Sequence, residues 1–166
     1  MSEIIDLYDD MRRVVQTAEY RAPLPVGLRK LFVHIWFVHP NGQFLLQQRV
    51  STAHRFANKW TQTGGCVRSG ESVWECVCRE SNEELGLTPD VAQSFFIKTL
   101  VNIDSFTDLW IVFNTTPIQD VILQPDEVQN VKWVSADEIR EMQTKDLLTP
   151  SMIPELEIVT DYLSEI

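Results

Sequence analysis

"GGCVRSGESVWECVCRESNEELGL", residues Gly64–Leu87, is the stretch that decides the fold, and it carries Glu80, Glu83 and Glu84 close together. The chain of 166 residues has 24 acidic and 14 basic side chains, a formal net charge of -10. Like charges one helical turn apart destabilise a helix by about 0.2–0.5 kcal/mol per pair. An acidic chain that places three more carboxylates on one turn therefore needs a chemical reason for doing so.

The stretch predicts a helix from about Ser72 to Leu85, and Gly86 fits the left-handed residue that commonly follows a helix. Ser69 is the candidate N-cap, although Ser-x-x-Ser is only half of a capping box. Gly64 ends a short predicted strand, "WTQTGG", directly before this helix. Glycine there allows a sharp turn and a close approach of the backbone to a ligand.

The three glutamates occupy one side of the predicted helix. At about 100° per residue, Glu84 falls near 40° and Glu83 near 300° when Glu80 is set to zero. Glu84 shares its direction with the apolar Val73 and Val77, so it is expected to face the protein. A solvated acidic face is the alternative, and the shared direction argues against it.

Clustered, half-buried carboxylates raise their own pKa values unless they have partners. Hard divalent cations such as Mg²⁺ or Mn²⁺ are natural partners, because they prefer oxygen ligands and bridge carboxylates to phosphates. Arg79 lies one turn before Glu83 and is expected to hold this outer carboxylate in place.

The stretch resembles the Nudix box, G-x5-E-x7-R-E-U-x-E-E-x-G-U, in which U is aliphatic. The matching positions are Gly65, Glu71, Arg79, Glu80, Glu83, Glu84, Gly86 and Leu87. Ser81 departs from the pattern, because an aliphatic residue is usual there. The box covers residues 65–87, and the order of strands and helices around it is similar to the family over about residues 29–145.

The resemblance implies an α/β fold, a Nudix-like α/β/α sandwich with a mixed β-sheet. It also implies hydrolysis of a pyrophosphate bond in a nucleoside diphosphate linked to another group, or in a related diphosphate, with Mg²⁺ or alternatively Mn²⁺. The implied metal ligands are Glu80, Glu84, Glu83 and the Gly64 carbonyl. The implied catalytic residues are Glu83, Glu84, Arg79 and Glu127. The candidates for substrate binding are Arg49, Lys59, Glu71 and Phe56.

Two other functions remain open within the same fold. "NKWTQTGG" looks like a segment of isopentenyl diphosphate isomerases, but glycines occupy the cysteine region, Cys66 is displaced, and no histidine lies between Gly65 and Glu71. A non-catalytic regulator that binds a nucleotide sugar is the other alternative. Such proteins usually lose glutamates of the box, and this chain keeps them.

The rest of the chain predicts a single domain over residues 1–166. Apolar runs on both sides of Asn41-Gly42 predict a hairpin, and residues 94–115 and 127–134 predict further strands. Ser135 with Glu138 predicts a helix start, and residues 150–165 carry one apolar stripe. Residues 1–28 form an N-terminal extension of uncertain structure, since 3–20 fit either a helix or two strands.

Composition limits the partners. The acidic balance disfavours nucleic acid, because binding to its backbone depends on Lys and Arg. No apolar run approaches the roughly 20 residues of a membrane helix, and no signal pattern opens the chain, so a cytoplasmic protein is expected. A small diphosphate substrate is the expected partner. The N-terminal segment and the stripe at 153–163 are candidates for a homodimer contact.

Overall fold

The computed structural model describes residues 2–166. Its strands are β1 (Ile4–Tyr8), β2 (Val14–Glu19), β3 (Lys30–Val38), β4 (Phe44–Arg49), β5 (Trp60–Thr61), β6 (Thr63–Cys66), β7 (Ser94–Val101), β8 (Ser105–Phe113) and β9 (Val128–Val134). Its α-helices are α1 (Val73–Leu85), α2 (Ala136–Thr144) and α3 (Met152–Glu165). Within the described residues, no helix is long and apolar enough to span a bilayer.

The main sheet has seven strands in the order β5-β4-β3-β8-β7, with β6 beside β3 and β9 beside β4. β3 and β8 pair in parallel, and the other strand pairs are antiparallel. Side chains alternate along β3, because successive residues of a strand face opposite sides. Val33 and Ile35 pack on the side of α1, whereas Trp36 and Val38 pack on the side of α2 and α3. The expected α/β/α sandwich with a mixed sheet is confirmed.

The β3–β4 hairpin forms around Asn41-Gly42 as expected, and Gly42 adopts φ +87°. The two strands pair only at Val38 and Phe44, and then they diverge. The predicted single strand "WTQTGG" is in fact two strands divided at Gln62: β5 pairs with β4, and β6 pairs with β3. This division places the glycines of β6 between the two diverging strands.

The N-terminal extension is a hairpin, which resolves the ambiguity of residues 3–20 in favour of two strands. Ile5 and Leu7 are fully buried, and Tyr8 exchanges backbone hydrogen bonds with Arg29. Ile5 also forms a β-bridge with Arg68, which precedes α1. The extension is therefore packed onto the domain beside the loop that leads into α1.

The two segments proposed for a homodimer contact differ in exposure. Leu156 and Val159 of the α3 stripe are fully buried in the core of the same chain. Met11, Val14 and Val15 of the hairpin remain exposed. The α3 stripe is thus used inside the domain, and dimerisation through the hairpin stays a prediction.

Candidate active site

Helix α1 has well-defined ends. Ser72, and not Ser69, is the N-cap: its Oγ accepts a hydrogen bond from the Glu75 amide (3.2 Å), and its amide donates to Glu75 Oε2 (2.7 Å). Ser69 instead donates to Asp6 of the N-terminal hairpin. Gly86 ends the helix with φ +65°, as expected. The capping box fixes the phase of α1 and thereby the direction of its glutamates.

Two of the three glutamates are buried. Glu84 is 4% exposed and Glu80 is 9% exposed, whereas Glu83 is exposed. Burial raises the pKa of Glu80 to about 7, against the opposing effect of Arg79. Burial also raises the pKa of Glu84, and the charges of Glu80 and Glu127 add to this increase. The helical-wheel expectation that Glu84 faces the protein is confirmed.

Arg79 forms hydrogen bonds to three glutamates of the Nudix-like stretch. Its Nε and Nη2 donate to the two oxygens of Glu71 (2.7 and 2.9 Å), and its Nη1 donates to Glu80 Oε1 (2.5 Å) and Glu83 Oε2 (3.3 Å). Burial alone would lower the pKa of Arg79, but Glu71 and Glu80 raise it overall. The guanidinium is therefore a permanent cation that orients the buried Glu80 and the half-buried Glu71.

Gln47 on β4 holds Glu84, and sequence reasoning missed it. Its Nε2 donates to Glu84 Oε2 (2.8 Å), and its Oε1 accepts from Thr63 Oγ1 (3.0 Å). Gln47 is 3% exposed and lies two residues after Leu45, which packs in the core on the side of α1. The sequence did contain a signal for this contact. Gln47 lies on the same face of its strand as the apolar Leu45, and a glutamine that is buried on such a face requires a hydrogen-bond partner.

The glycines of β6 lie in contact with the cluster. A Cβ on Gly65 would overlap the carboxylate of Glu80, and a Cβ on Gly64 would overlap the Val33 carbonyl oxygen. Only glycine therefore fits at these two positions without displacing a neighbour. The close approach of strand and carboxylate explains why two glycines stand there.

These residues form one wall of a cleft of about 790 Å³, between the N-terminal hairpin, β6, α1 and the loops around residues 50–55 and 126–127. This carboxylate wall consists of Glu80, Glu83, Glu84, Asp126 and Glu127. The same cleft is also lined by Glu3 and by the cations Arg21, Lys30, Arg49 and Arg55. The structure thus brings Glu127, Gly64 and Arg49 together with the glutamates of α1.

Three predicted substrate-binding residues do not line this cleft. Lys59 pairs with Asp146 at 2.9 Å and is directed to the end of α2. Glu71 is engaged by Arg79 behind the carboxylate wall. Phe56 is exposed in a left-handed conformation, φ +54°, with its ring 5.2 Å from the Arg55 guanidinium. Glu71 and Phe56 are thus placed to support neighbours, and Lys59 lies away from the cleft.

The residues fit a hard divalent cation by their chemistry. Glu80 and Glu84 are buried acceptors whose pKa values are raised mainly by burial, and Glu84 is hydrogen-bonded to the neutral Gln47 rather than to a positive charge. A cation would supply that charge, and carboxylate oxygens are the ligands that Mg²⁺ prefers. Across residues 2–166, no three His, Cys, Asp or Glu side chains are already arranged as a ligand set. The match between these residues and a divalent cation therefore depends on their carboxylate oxygens and negative charge.

The comparisons with known proteins agree with this geometry. A family model described as NUDIX domain matches residues 28–156. An uncharacterised Nudix hydrolase of Listeria innocua is 26% identical over 147 residues, which is 87% of either chain. An isopentenyl-diphosphate Delta-isomerase of Aliivibrio fischeri is 28% identical over 158 residues, 86% of either chain. A crystal structure from Deinococcus radiodurans matches with a TM-score of 0.80 at 20% identity, over 93% of this chain and 98% of that one.

Proposed function

Because this chain belongs to the Nudix family and is a Nudix-type pyrophosphohydrolase, we propose that it cleaves a nucleoside diphosphate linked to a second group, or a related diphosphate. The proposed cofactor is Mg²⁺, with Mn²⁺ as the alternative. The observation that carries the proposal is the pair of buried carboxylates Glu80 and Glu84 that line a cleft of about 790 Å³.

When bound, the cation would neutralise charge on the diphosphate and lower the pKa of a nucleophilic water. The chain's own residues prepare the site for it. Gln47 fixes one oxygen of Glu84, and Arg79 fixes one oxygen of Glu80, which limits the orientations of both carboxylates. We propose these two carboxylates and the Gly64 carbonyl as ligands, with Glu83 as a further ligand or a base.

Two residues outside α1 complete the proposal. Glu127 lies on the cleft near Glu80 and Glu84, and it is the proposed base that accepts a proton from the attacking water. Arg49, at the end of β4, is the proposed partner of a substrate phosphate, because a guanidinium matches phosphate oxygens bidentately.

A panel of nucleoside diphosphate derivatives, with Mg²⁺ or Mn²⁺ and scored by release of nucleotide or phosphate, tests the proposal. Glu84→Gln should reduce kcat/KM by on the order of 10²-fold, because it weakens transition-state charge stabilisation. Glu19→Gln, which alters an exposed glutamate of β2, is the matched control and should retain activity. Absence of turnover on every compound, with metal bound, would refute the hydrolase.

Isomerisation of isopentenyl diphosphate is the second candidate, because the Aliivibrio fischeri isomerase aligns over most of the chain. Cys66 lines the cleft, but burial raises the pKa of its thiol to about 12. The residue is therefore a protonated thiol at neutral pH. Conversion of isopentenyl diphosphate to dimethylallyl diphosphate without phosphate release would favour this candidate over the hydrolase.

A further inference from the structure

The chain has 14 lysines and arginines, and eight of them lie within 4.0 Å of a carboxylate. The six described cations that form no such ion pair are Arg21, Lys30, Arg49, Arg55, Lys98 and Lys132. In a chain with a net charge of -10, an ion-pair partner should be easy to find for a cation. Cations that remain unpaired together in one place therefore indicate a site for an anion.

Four of these six, Arg21, Lys30, Arg49 and Arg55, line the same cleft as the buried glutamates. They come from four separate segments: the end of the N-terminal hairpin, the start of β3, the end of β4 and the following loop. Six carboxylates line the same cleft, but none of them lies within ion-pair distance of any of the four cations. We call these four residues the cationic wall.

Contacts around Tyr20 connect the members of the cationic wall. Lys30 Nζ donates to the Tyr20 carbonyl oxygen (2.6 Å) and lies 4.5 Å from the centre of its ring. Arg49 Nε donates to the Arg55 carbonyl oxygen (3.0 Å). Burial raises the pKa of Tyr20, the charge of Glu3 adds to this increase, and the charges of Arg55 and Arg49 oppose it, so both guanidinium groups lie within electrostatic reach of the Tyr20 hydroxyl. Arg21 follows Tyr20 directly.

The cationic wall carries more charge than a bridging diphosphate needs. Each bridging phosphate carries about one negative charge, whereas a terminal phosphate carries about -1.5 to -2. Under the proposed function, the scissile diphosphate lies at the carboxylate wall with its cation, and Arg49 contacts one of its phosphates. Arg21, Lys30 and Arg55 then still form no ion pair.

We propose that the cationic wall binds a phosphate of the substrate beyond the two that flank the scissile bond. The substrate class is therefore one with at least three phosphates, in a longer polyphosphate chain or with the additional phosphate on the linked group. This inference rests on the proposed function for the position of the scissile bond. It predicts a selectivity that the glutamates of α1 cannot supply.

Two matched pairs of substrates test the proposal with Mg²⁺. Diadenosine diphosphate and diadenosine tetraphosphate differ in chain length, and NADH and NADPH differ by one phosphate on a ribose. In one of the two pairs, the compound with more phosphates should have a kcat/KM at least about tenfold higher. A preference in the first pair places the additional phosphate in the polyphosphate chain, and a preference in the second pair places it on the linked group. Equal kcat/KM within both pairs would overturn the proposal.

Arg21→Gln and Arg55→Gln should each reduce this preference about threefold to tenfold and leave the smaller substrate nearly unaffected. Lys98→Gln is the matched control, because Lys98 is another unpaired and exposed cation but lies on β7, outside the cleft. An equal effect of Lys98→Gln would contradict the cationic wall. If no compound is cleaved, the hydrolase proposal fails, and calorimetric binding of the same four compounds to the wild-type and variant proteins still decides the preference.

Discussion

Replacement of Glu80 by glutamine should stabilise the metal-free protein at alkaline pH. Glu80 is 9% exposed, and its folded-state pKa is about 7, against an ordinary value of 4.5. Below pH 4.5 the carboxyl is neutral in both the folded and the unfolded states. Stability falls as the pH rises from 4.5 through 7, because the folded state resists the ionisation that the unfolded state accepts.

The magnitude follows from the two pKa values. At about 1.4 kcal/mol per pH unit, the difference between 4.5 and about 7 corresponds to roughly 3 kcal/mol above pH 7. Arg79 does not remove this cost, because its guanidinium is shared with Glu71 and Glu83. Glu80→Gln stays neutral at every pH and should therefore be up to about 3 kcal/mol more stable than wild type at pH 8.

Urea unfolding followed by tryptophan fluorescence, in EDTA at pH 5 and pH 8, measures this difference. The stability advantage of Glu80→Gln should be small at pH 5 and large at pH 8, and Glu19→Gln should show none. Mg²⁺ at 100 times its Kd should stabilise wild type by about 2.7 kcal/mol. The variant should gain less, so the difference in stability between the two proteins should become smaller. The reasoning is refuted if Glu80→Gln is less stable than wild type at pH 8 in EDTA.

Three further results are expected. Gln47→Ala should raise the Mg²⁺ concentration required for half-maximal activity about 10–100-fold, because Glu84 loses its orienting donor; unchanged metal dependence would contradict this. Glu155→Ala should lower the free energy of unfolding by about 3 kcal/mol, because buried Glu155 accepts from Trp36 Nε1 and contacts His34 Nδ1, and urea unfolding measures the loss. Cys66 should resist iodoacetamide at pH 8 in the native protein, since its pKa is about 12; mass spectrometry would detect labelling that contradicts this.

The central helix was predictable because its signals are local. The spacing of Val73, Val77 and Glu84 on a helical wheel is sufficient to place Glu84 against the core, and the structure has it 4% exposed. The helix bounds followed in the same way from Gly86. The N-cap was wrongly predicted at Ser69: in the structure Ser72 caps the helix, and Ser69 donates to Asp6 of the N-terminal hairpin, a contact between segments distant in sequence.

Pairings between distant segments were not predictable. The apolar spacing of residues 4–19 also fits a helix, but the structure has a hairpin there, and its Ile5 forms a bridge to Arg68 in the loop before α1. Lys59 is adjacent to the cleft in sequence but pairs with Asp146, 87 residues away. Gln47 reaches Glu84 only because β4 diverges from β3. Each of these contacts depends on how the strands are ordered in the sheet, and this order cannot be predicted from a short stretch of sequence.

The most direct test of the central claim is a Mn²⁺ titration of the protein, followed by the electron paramagnetic resonance signal of free Mn²⁺. The claim is that the buried carboxylates Glu80 and Glu84 form a divalent-cation site in the cleft. Wild type should bind at least one Mn²⁺ per chain, Mg²⁺ should displace it, and Glu84→Gln should lose most of the affinity. Equal binding by wild type and Glu84→Gln would contradict the account.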